Sequence, residues 1–251
     1  MSVITLHKED IHKGYQMLVN KQHSIKDNQY FTRQLLPMGG KFNKTLLKKN
    51  TGNLLNQLLD TIAAKEKIAL VSGYRSQQEQ EEIYKSSIVE NGQLFTEKYV
   101  ALPNCSEHQT GMAIDLGERA DNIDFIRPHF PYSGIAQILR ENAVRYGFLE
   151  RYQKHKEAVT GISHEPWHFR YVGYPHASIM HHHDLCLEEY IPFIKDYKFG
   201  EKHYGFSLDN KKVEVSYIQT EADSMNLDLS DTLCYQISGN NVDGFILTTW
   251  R

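Results

Sequence analysis

His164-Glu165-Pro166-Trp167-His168-Phe169-Arg170-Tyr171-Val172 is the stretch on which the reading of this chain turns. Its first five residues spell H-E-x-x-H, a pattern that on a helix presents two histidine ligands one turn apart with a glutamate base beside them. The residues do not suit a helix. Pro166 has no amide hydrogen to give, and Trp167 to Val172 is rich in aromatic and β-branched side chains, which favour a strand. On a strand, residues 164, 166 and 168 share one face and Glu165 points to the other, unless the backbone bends at the proline. A metal site that uses His168 must therefore draw its other ligands from elsewhere.

Upstream, Ser106-Glu107-His108-Gln109-Thr110-Gly111-Met112-Ala113-Ile114-Asp115-Leu116 alternates from Gly111 onward. Met112, Ile114 and Leu116 fall on one face; Gly111, Ala113 and Asp115 fall on the other. A carboxylate on a face of small residues, backed by an apolar face, is placed to point into a pocket. Further upstream, Ile68 to Val71 predicts a short buried strand running through Ser72-Gly73-Tyr74-Arg75-Ser76 into a helix that ends near Lys85. Ser76 and Glu79 form an S-x-x-E capping box at its start. Arg75 thus sits at a strand-to-helix junction, where a side chain can reach a cleft. Leu54, Leu55, Leu58, Leu59 and Ile62 predict an amphipathic helix over 53–66, and Ser133 begins another that ends before Gly147. After residue 198 the chain changes to short alternating segments, with Gly239-Asn240-Asn241 as a hairpin turn. The expected domains are residues 1–198 and a small β-rich appendage, residues 199–251.

The 251 residues can bury a full core, and a formal net charge of -3 leaves no basic excess for a phosphate backbone, so nucleic acid is not an expected partner. The N-terminal residues lack an apolar signal region and no apolar run is long enough to span a bilayer, so the expectation is a cytoplasmic protein without membrane contact. Cys105, Cys186 and Cys234 are odd in number and form no C-x-x-C pair, which argues against a disulfide framework or thiolate zinc site. His181-His182-His183 has no matching carboxylate partner and reads as a solvated run.

The S-G-Y-R-S segment at 72–76, the S-x-H-x-x-G-x-A-x-D segment at 106–115 and the E-x-W-H segment at 165–168 occur in the order found in the M15 family of zinc D,D-peptidases. Over roughly residues 50 to 180 the chain resembles that family, and within it the VanXY-type enzymes. The resemblance implies an α+β fold with a central antiparallel sheet flanked by helices, as in hedgehog and D,D-peptidase domains. It implies Zn2+ as cofactor, with His108, Asp115 and His168 as ligands, Glu165 as base and Arg75 as the cation that stabilises an oxyanion. Arg75, Gln80 and Ser106 match substrate-contacting positions. Such a donor set has a chemical logic, because three protein ligands leave zinc a fourth position for water, whose pKa falls to roughly 7.

The implied reaction is hydrolysis of D-Ala-D-Ala, removal of the terminal D-Ala of a muramyl pentapeptide precursor, or both, with resistance to vancomycin-type antibiotics as the biological outcome. Three rivals accompany it: a phage-type endopeptidase of the same family cutting L-Ala-D-Glu, a helical H-E-x-x-H peptidase using His164, and a non-catalytic zinc-binding module.

Overall fold

A computed structural model describes residues 2–39, 44–208, 211–230 and 232–251. In chain order its first elements are β1 (Ser2–His7), α1 (Asn28–Thr32), β2 (Leu35–Pro37), β3 (Leu46–Lys48), α2 (Lys49–Thr61), β4 (Ile68–Ser72) and α3 (Gln77–Asn91). There follow α4 (Gln93–Tyr99), a 3-10 turn (Glu107–Thr110), β5 (Ala113–Glu118), α5 (Gly134–Ala143), β6 (Phe148–Tyr152), α6 (Glu157–Thr160), β7 (Glu165–Tyr171) and α7 (His176–His182). The last are α8 (Leu187–Lys195), β8 (Tyr204–Leu208), β9 (Lys211–Gln219), β10 (Ser224–Leu229), β11 (Cys234–Gly239) and β12 (Gly244–Trp250). No helix among the described residues is long and apolar enough to cross a membrane.

The chain forms two compact units, Val19–Cys186 and a second made of Met1–Leu18 with Leu187–Arg251. The larger unit is built on a four-stranded antiparallel sheet in the order β4-β5-β7-β6. Ile114 and Leu116 on β5 and Phe169 on β7 are fully buried on its apolar side. There α5 packs against β5 and β6, and α2 packs against α5. Burying each leucine of α2, such as Leu55, Leu58 and Leu59, stabilises the fold by about 1.5–3 kcal/mol. The helix starts earlier than its leucines predict, because Gly52 fits in the first turn, where a Cβ would stand 2.9 Å from the Met38 sulfur. The capping box at Ser76 forms in both directions, with Glu79 N donating to Ser76 Oγ (3.1 Å) and Ser76 N donating to Glu79 Oε2 (2.7 Å). Its helix α3 runs past Lys85 to Asn91, where Gly92 takes a positive φ of 82° and ends it.

The second unit differs from the expected appendage in both boundaries. Its break falls at Cys186, not at residue 198, since α8 packs on β9. It also takes in the N-terminus, because β1 pairs along its whole length with β10, from Ser2 opposite Leu229 to His7 opposite Ser224. A pairing partner more than two hundred residues away leaves no local trace in sequence. The remaining strands form the antiparallel sheet β11-β12-β9-β8, with the β11–β12 hairpin turning at residues 240–243 as the Gly239-Asn240-Asn241 signal predicts. Leu6, Ile11, Ile218, Leu227, Leu229, Phe245 and Leu247 make its core.

One buried group of the larger unit makes stability depend on pH. His176, at the start of α7, is 1 % exposed, and burial pushes its imidazole down to about 3. The fold keeps it neutral while the unfolded chain takes up a proton below its ordinary value near 6.5. Stability is therefore complete above that value and falls as the pH drops below it. Between pH 7 and pH 5 the loss from this one group is about 2 kcal/mol. Urea unfolding of His176→Asn at the two pH values should show a deficit against the wild type that narrows by that amount at pH 5; an unchanged deficit would refute the assignment.

Candidate metal centre and active site

Asp115 and His168 are directly opposite one another on the two central strands, β5 and β7, and Ala113 is opposite Arg170 in the same ladder. Alternation then puts Ala113, Asp115, His168 and Arg170 on one side of the sheet, away from Ile114 and Phe169. The third member comes from the 3-10 turn before β5. Gly111, at φ 67°, ends that turn in a left-handed conformation and swings the chain from His108 into the strand. His108, Asp115 and His168 each offer one donor atom, and these atoms lie within 4.8 Å of one another.

Hydrogen bonds to neighbouring groups orient the site side chains. His108 Nδ1 is 2.7 Å from the carbonyl oxygen of Gly73, which leaves Nε2 facing Asp115 Oδ2 at 3.1 Å. His168 Nδ1 is 2.9 Å from Asp115 Oδ1. Tetrahedral zinc ligands at roughly 2.0–2.1 Å lie about 3.3 Å apart, and two imidazoles and one carboxylate with donor atoms within 4.8 Å of one another are a donor set that suits zinc. Residue 73 has no room for a side chain, since a Cβ there would stand 2.6 Å from the Leu46 carbonyl oxygen. Burial alone would raise the Asp115 carboxyl, but His108 and His168 hold it well below the usual carboxylate range. Burial, with Arg75 nearby, pushes the His108 imidazole down; His168, against burial, is pushed up to about 9 by its bonds to Asp115 and Glu107.

Glu165 is 6 % exposed, and its Oε2 stands 3.8 Å from His168 Nδ1. Regular alternation would have turned it away from His168. The β6–β7 ladder instead shifts register between Glu150, opposite Phe169, and Tyr152, opposite Glu165, and this irregularity around Pro166 brings Glu165 and His168 to one pocket. Arg140 Nη2 supports the bend by donating to the Pro166 carbonyl at 3.0 Å. Burial pushes the Glu165 carboxyl up to about 8; His168 and Arg75 pull it back, while Asp115 and Glu107 push it further.

The pocket at this cluster has a cavity of about 40 Å³, lined among others by Arg75, Gln80, Ser106, Phe125, Tyr152 and Trp167. Arg75 donates to Asp115 Oδ2 (2.9 Å), to Ser72 Oγ (2.8 Å) and to Gln80 Oε1 (3.4 Å). It therefore has both a structural ion pair and a position on the pocket wall. Gln80 is fully buried and also donates to the Ala101 carbonyl at 2.8 Å, while Ser106, buried just before the 3-10 turn, lines the pocket. His164 is outside the cluster. Its Nε2 is 2.7 Å from the Tyr132 hydroxyl, and its ring stacks on Tyr132 at 5.8 Å. Since residues 165–171 are a strand, the helical H-E-x-x-H arrangement does not form. His181, His182 and His183 are exposed, and the three cysteines are free thiols.

Sequence reading missed a buried ionic group behind the cluster, in which Glu107 bonds Arg151, Arg170 and His168. The signal was there in the form of charged residues inside otherwise apolar and aromatic strands, Glu150 and Arg151 in Phe-Leu-Glu-Arg-Tyr at 148–152 and Arg170 in Trp-His-Phe-Arg-Tyr at 167–171.

A family model described as VanY, D-alanyl-D-alanine carboxypeptidase, matches residues 44–174. The bifunctional D-Ala-D-Ala dipeptidase and D-Ala-D-Ala carboxypeptidase VanXYC of Enterococcus gallinarum is 39% identical over 179 residues, covering 70% of this chain and 93% of that protein. Among solved structures, the vancomycin resistance D,D-dipeptidase VanXYg, in complex with a D-Ala-D-Ala phosphinate analog, superposes with a TM-score of 0.97 at 48% identity, covering 100% of this chain and 99% of the other. A D,D-pentapeptidase VanY from a VanB-type resistance cassette, in complex with Zn(II), superposes with a TM-score of 0.56 at 32% identity, covering 70% of this chain and 98% of the other. All three motif segments, and every side chain of the buried cluster they form, fall inside the matched residues, and the chain belongs to the VanY family of D-alanyl-D-alanine carboxypeptidases.

Proposed function

We propose that this protein is a zinc D,D-peptidase that hydrolyses D-Ala-D-Ala, removes the terminal D-Ala of a muramyl pentapeptide precursor in the cytoplasm, or does both, and so lowers susceptibility to vancomycin-type antibiotics. The observation that carries the reading is the convergence of His108, Asp115 and His168 with Glu165 beside them, in a chain that superposes end to end on a D,D-dipeptidase. His108, Asp115 and His168 would hold the zinc. When bound, zinc supplies a Lewis acid and an acidified water.

The chain's own residues supply the rest. Glu165, with its carboxylate free of the ligand set, accepts the proton of the attacking water and delivers it to the nitrogen of the departing D-alanine. Arg75 places a fixed positive charge where the carbonyl oxygen becomes negative, which in a buried site outweighs what the same charge would do in water. Gln80 holds Arg75 from the side, and Ser106, which lines the pocket, is set to contact the peptide. The relatives are peptidases for D-alanyl termini, which favours this reading over an L-Ala-D-Glu endopeptidase or a non-catalytic module.

The direct test is release of D-alanine from D-Ala-D-Ala and from a muramyl pentapeptide, measured side by side with and without a chelator. Chelator-sensitive release from either substrate is expected; failure on both would overturn the proposal. Arg75→Lys keeps a charge but loses the planar fork, and is expected to lower kcat/KM by roughly 10²–10³-fold with zinc content unchanged. Loss of zinc along with activity would instead mark Arg75 as a residue that serves only to hold Asp115.

A further inference from the structure

We propose that Glu107 is a positioning residue that selects the metal-binding tautomer of His168, and that Arg151 and Arg170 clamp it in that role. The proposal rests on the zinc reading of the cluster. It is carried by the division of labour between the two carboxylate oxygens. Oε1 accepts from Arg151 Nε and Arg170 Nη1, both at 2.9 Å, and Oε2 faces His168 Nε2 at 3.3 Å. Two arginines on one oxygen fix the carboxylate plane and leave the other oxygen aimed at the imidazole.

The elements explain why this geometry is stable. Glu107 sits on the 3-10 turn next to His108; Arg151 is on β6; Arg170 is two residues from His168 on the same face of β7. All four side chains are 3 % exposed or less, so no water competes for these bonds. With two guanidinium groups donating to its Oε1, Glu107 meets His168 as a carboxylate, which is an acceptor only. An acceptor opposite Nε2 requires the ring proton there. Once the ring gives up its second proton to hold a metal, the lone pair would be at Nδ1, the nitrogen that faces Asp115 and the rest of the cluster.

Glutamine at this position reverses the arrangement while keeping the shape. Its amide oxygen is needed by Arg151 and Arg170, which turns its NH2 toward His168. Nε2 must then accept, and the ring proton moves to Nδ1, the atom that has to bind the metal. Losing an outer partner of a metal-bound histidine costs about 10–100-fold in metal affinity.

The experiment titrates zinc into metal-free wild type and Glu107→Gln against a chelating dye, and records the melting temperature of both without metal. Affinity weaker by about 10–100-fold in a variant that is folded is the expected result. In the zinc-loaded wild type, 15N spectra of labelled histidine should show His168 protonated at Nε2. Wild-type affinity in folded Glu107→Gln would overturn the proposal, since a residue that only anchors the two arginines would lower the melting temperature alone. Should Glu107→Gln fail to fold, Glu107→Asp keeps the charge between the arginines but withdraws Oε2 from His168, and the same weakening is expected of it. Failure of the wild type to bind zinc would overturn the underlying reading instead, so the two failures are distinct.

Discussion

Glu165→Gln is expected to lower kcat for D-alanine release by roughly 10²–10⁴-fold while one zinc per chain remains bound. The substitution keeps the size and leaves His108, Asp115 and His168 untouched, so the donor cluster persists. What disappears is a buried carboxylate oxygen 3.8 Å from His168 Nδ1 that belongs neither to the ligand set nor, like Glu107, to a clamp of two arginines. An amide can neither take a proton from water nor return one to an amine. KM should change little, because Glu165 acts on the reacting atoms rather than on the peptide's ends. A variant within tenfold of wild-type kcat would remove Glu165 from the mechanism, and zinc content distinguishes that case from collapse of the site.

The second large effect separates His108, a proposed metal ligand, from His164, the histidine that the H-E-x-x-H spelling would use instead. His108→Ala is expected to weaken zinc binding by more than the roughly 100-fold that losing an outer partner costs, because it removes one of three first ligands. His164→Ala should leave zinc affinity within a few-fold of the wild type. His164 instead bonds Tyr132, near Glu150, and its loss leaves Asp115, His108 and His168 as they were. Zinc retained in His108→Ala and lost in His164→Ala would reinstate the H-E-x-x-H arrangement and overturn the site described above.

Much of this was legible because the deciding signals are local. Proline followed by aromatic and β-branched residues excludes a helix at 164–172, and β7 is a strand. Alternation from Gly111 put Asp115 and Ile114 on opposite faces, as β5 has them, and the Ser76 capping box needs only four residues to be recognised. What escaped depends on partners distant in sequence. The register shift that turns Glu165 toward His168 is a property of the β6–β7 pair, so one strand's pattern permits it only as an exception at Pro166. The Glu107, Arg151 and Arg170 group spans three elements, and charges that read singly as surface residues are buried because they meet. The β1–β10 pairing is the extreme case, and it moved the domain boundary.

The pairing of Asp115 with His168 across the two innermost strands has a consequence for motion. These strands have a neighbour on both sides, β4 beyond β5 and β6 beyond β7, so their amides are expected to be among the slowest of the sheet to exchange with solvent. Asp115 and His168 are therefore expected to keep their spacing in fluctuations that leave this ladder intact. Breathing that admits or releases a peptide must come from the surrounding segments, such as the one carrying Phe125, which is 49% exposed. The spacing of Asp115 and His168 and the access of a peptide to them thus rest on different parts of the molecule.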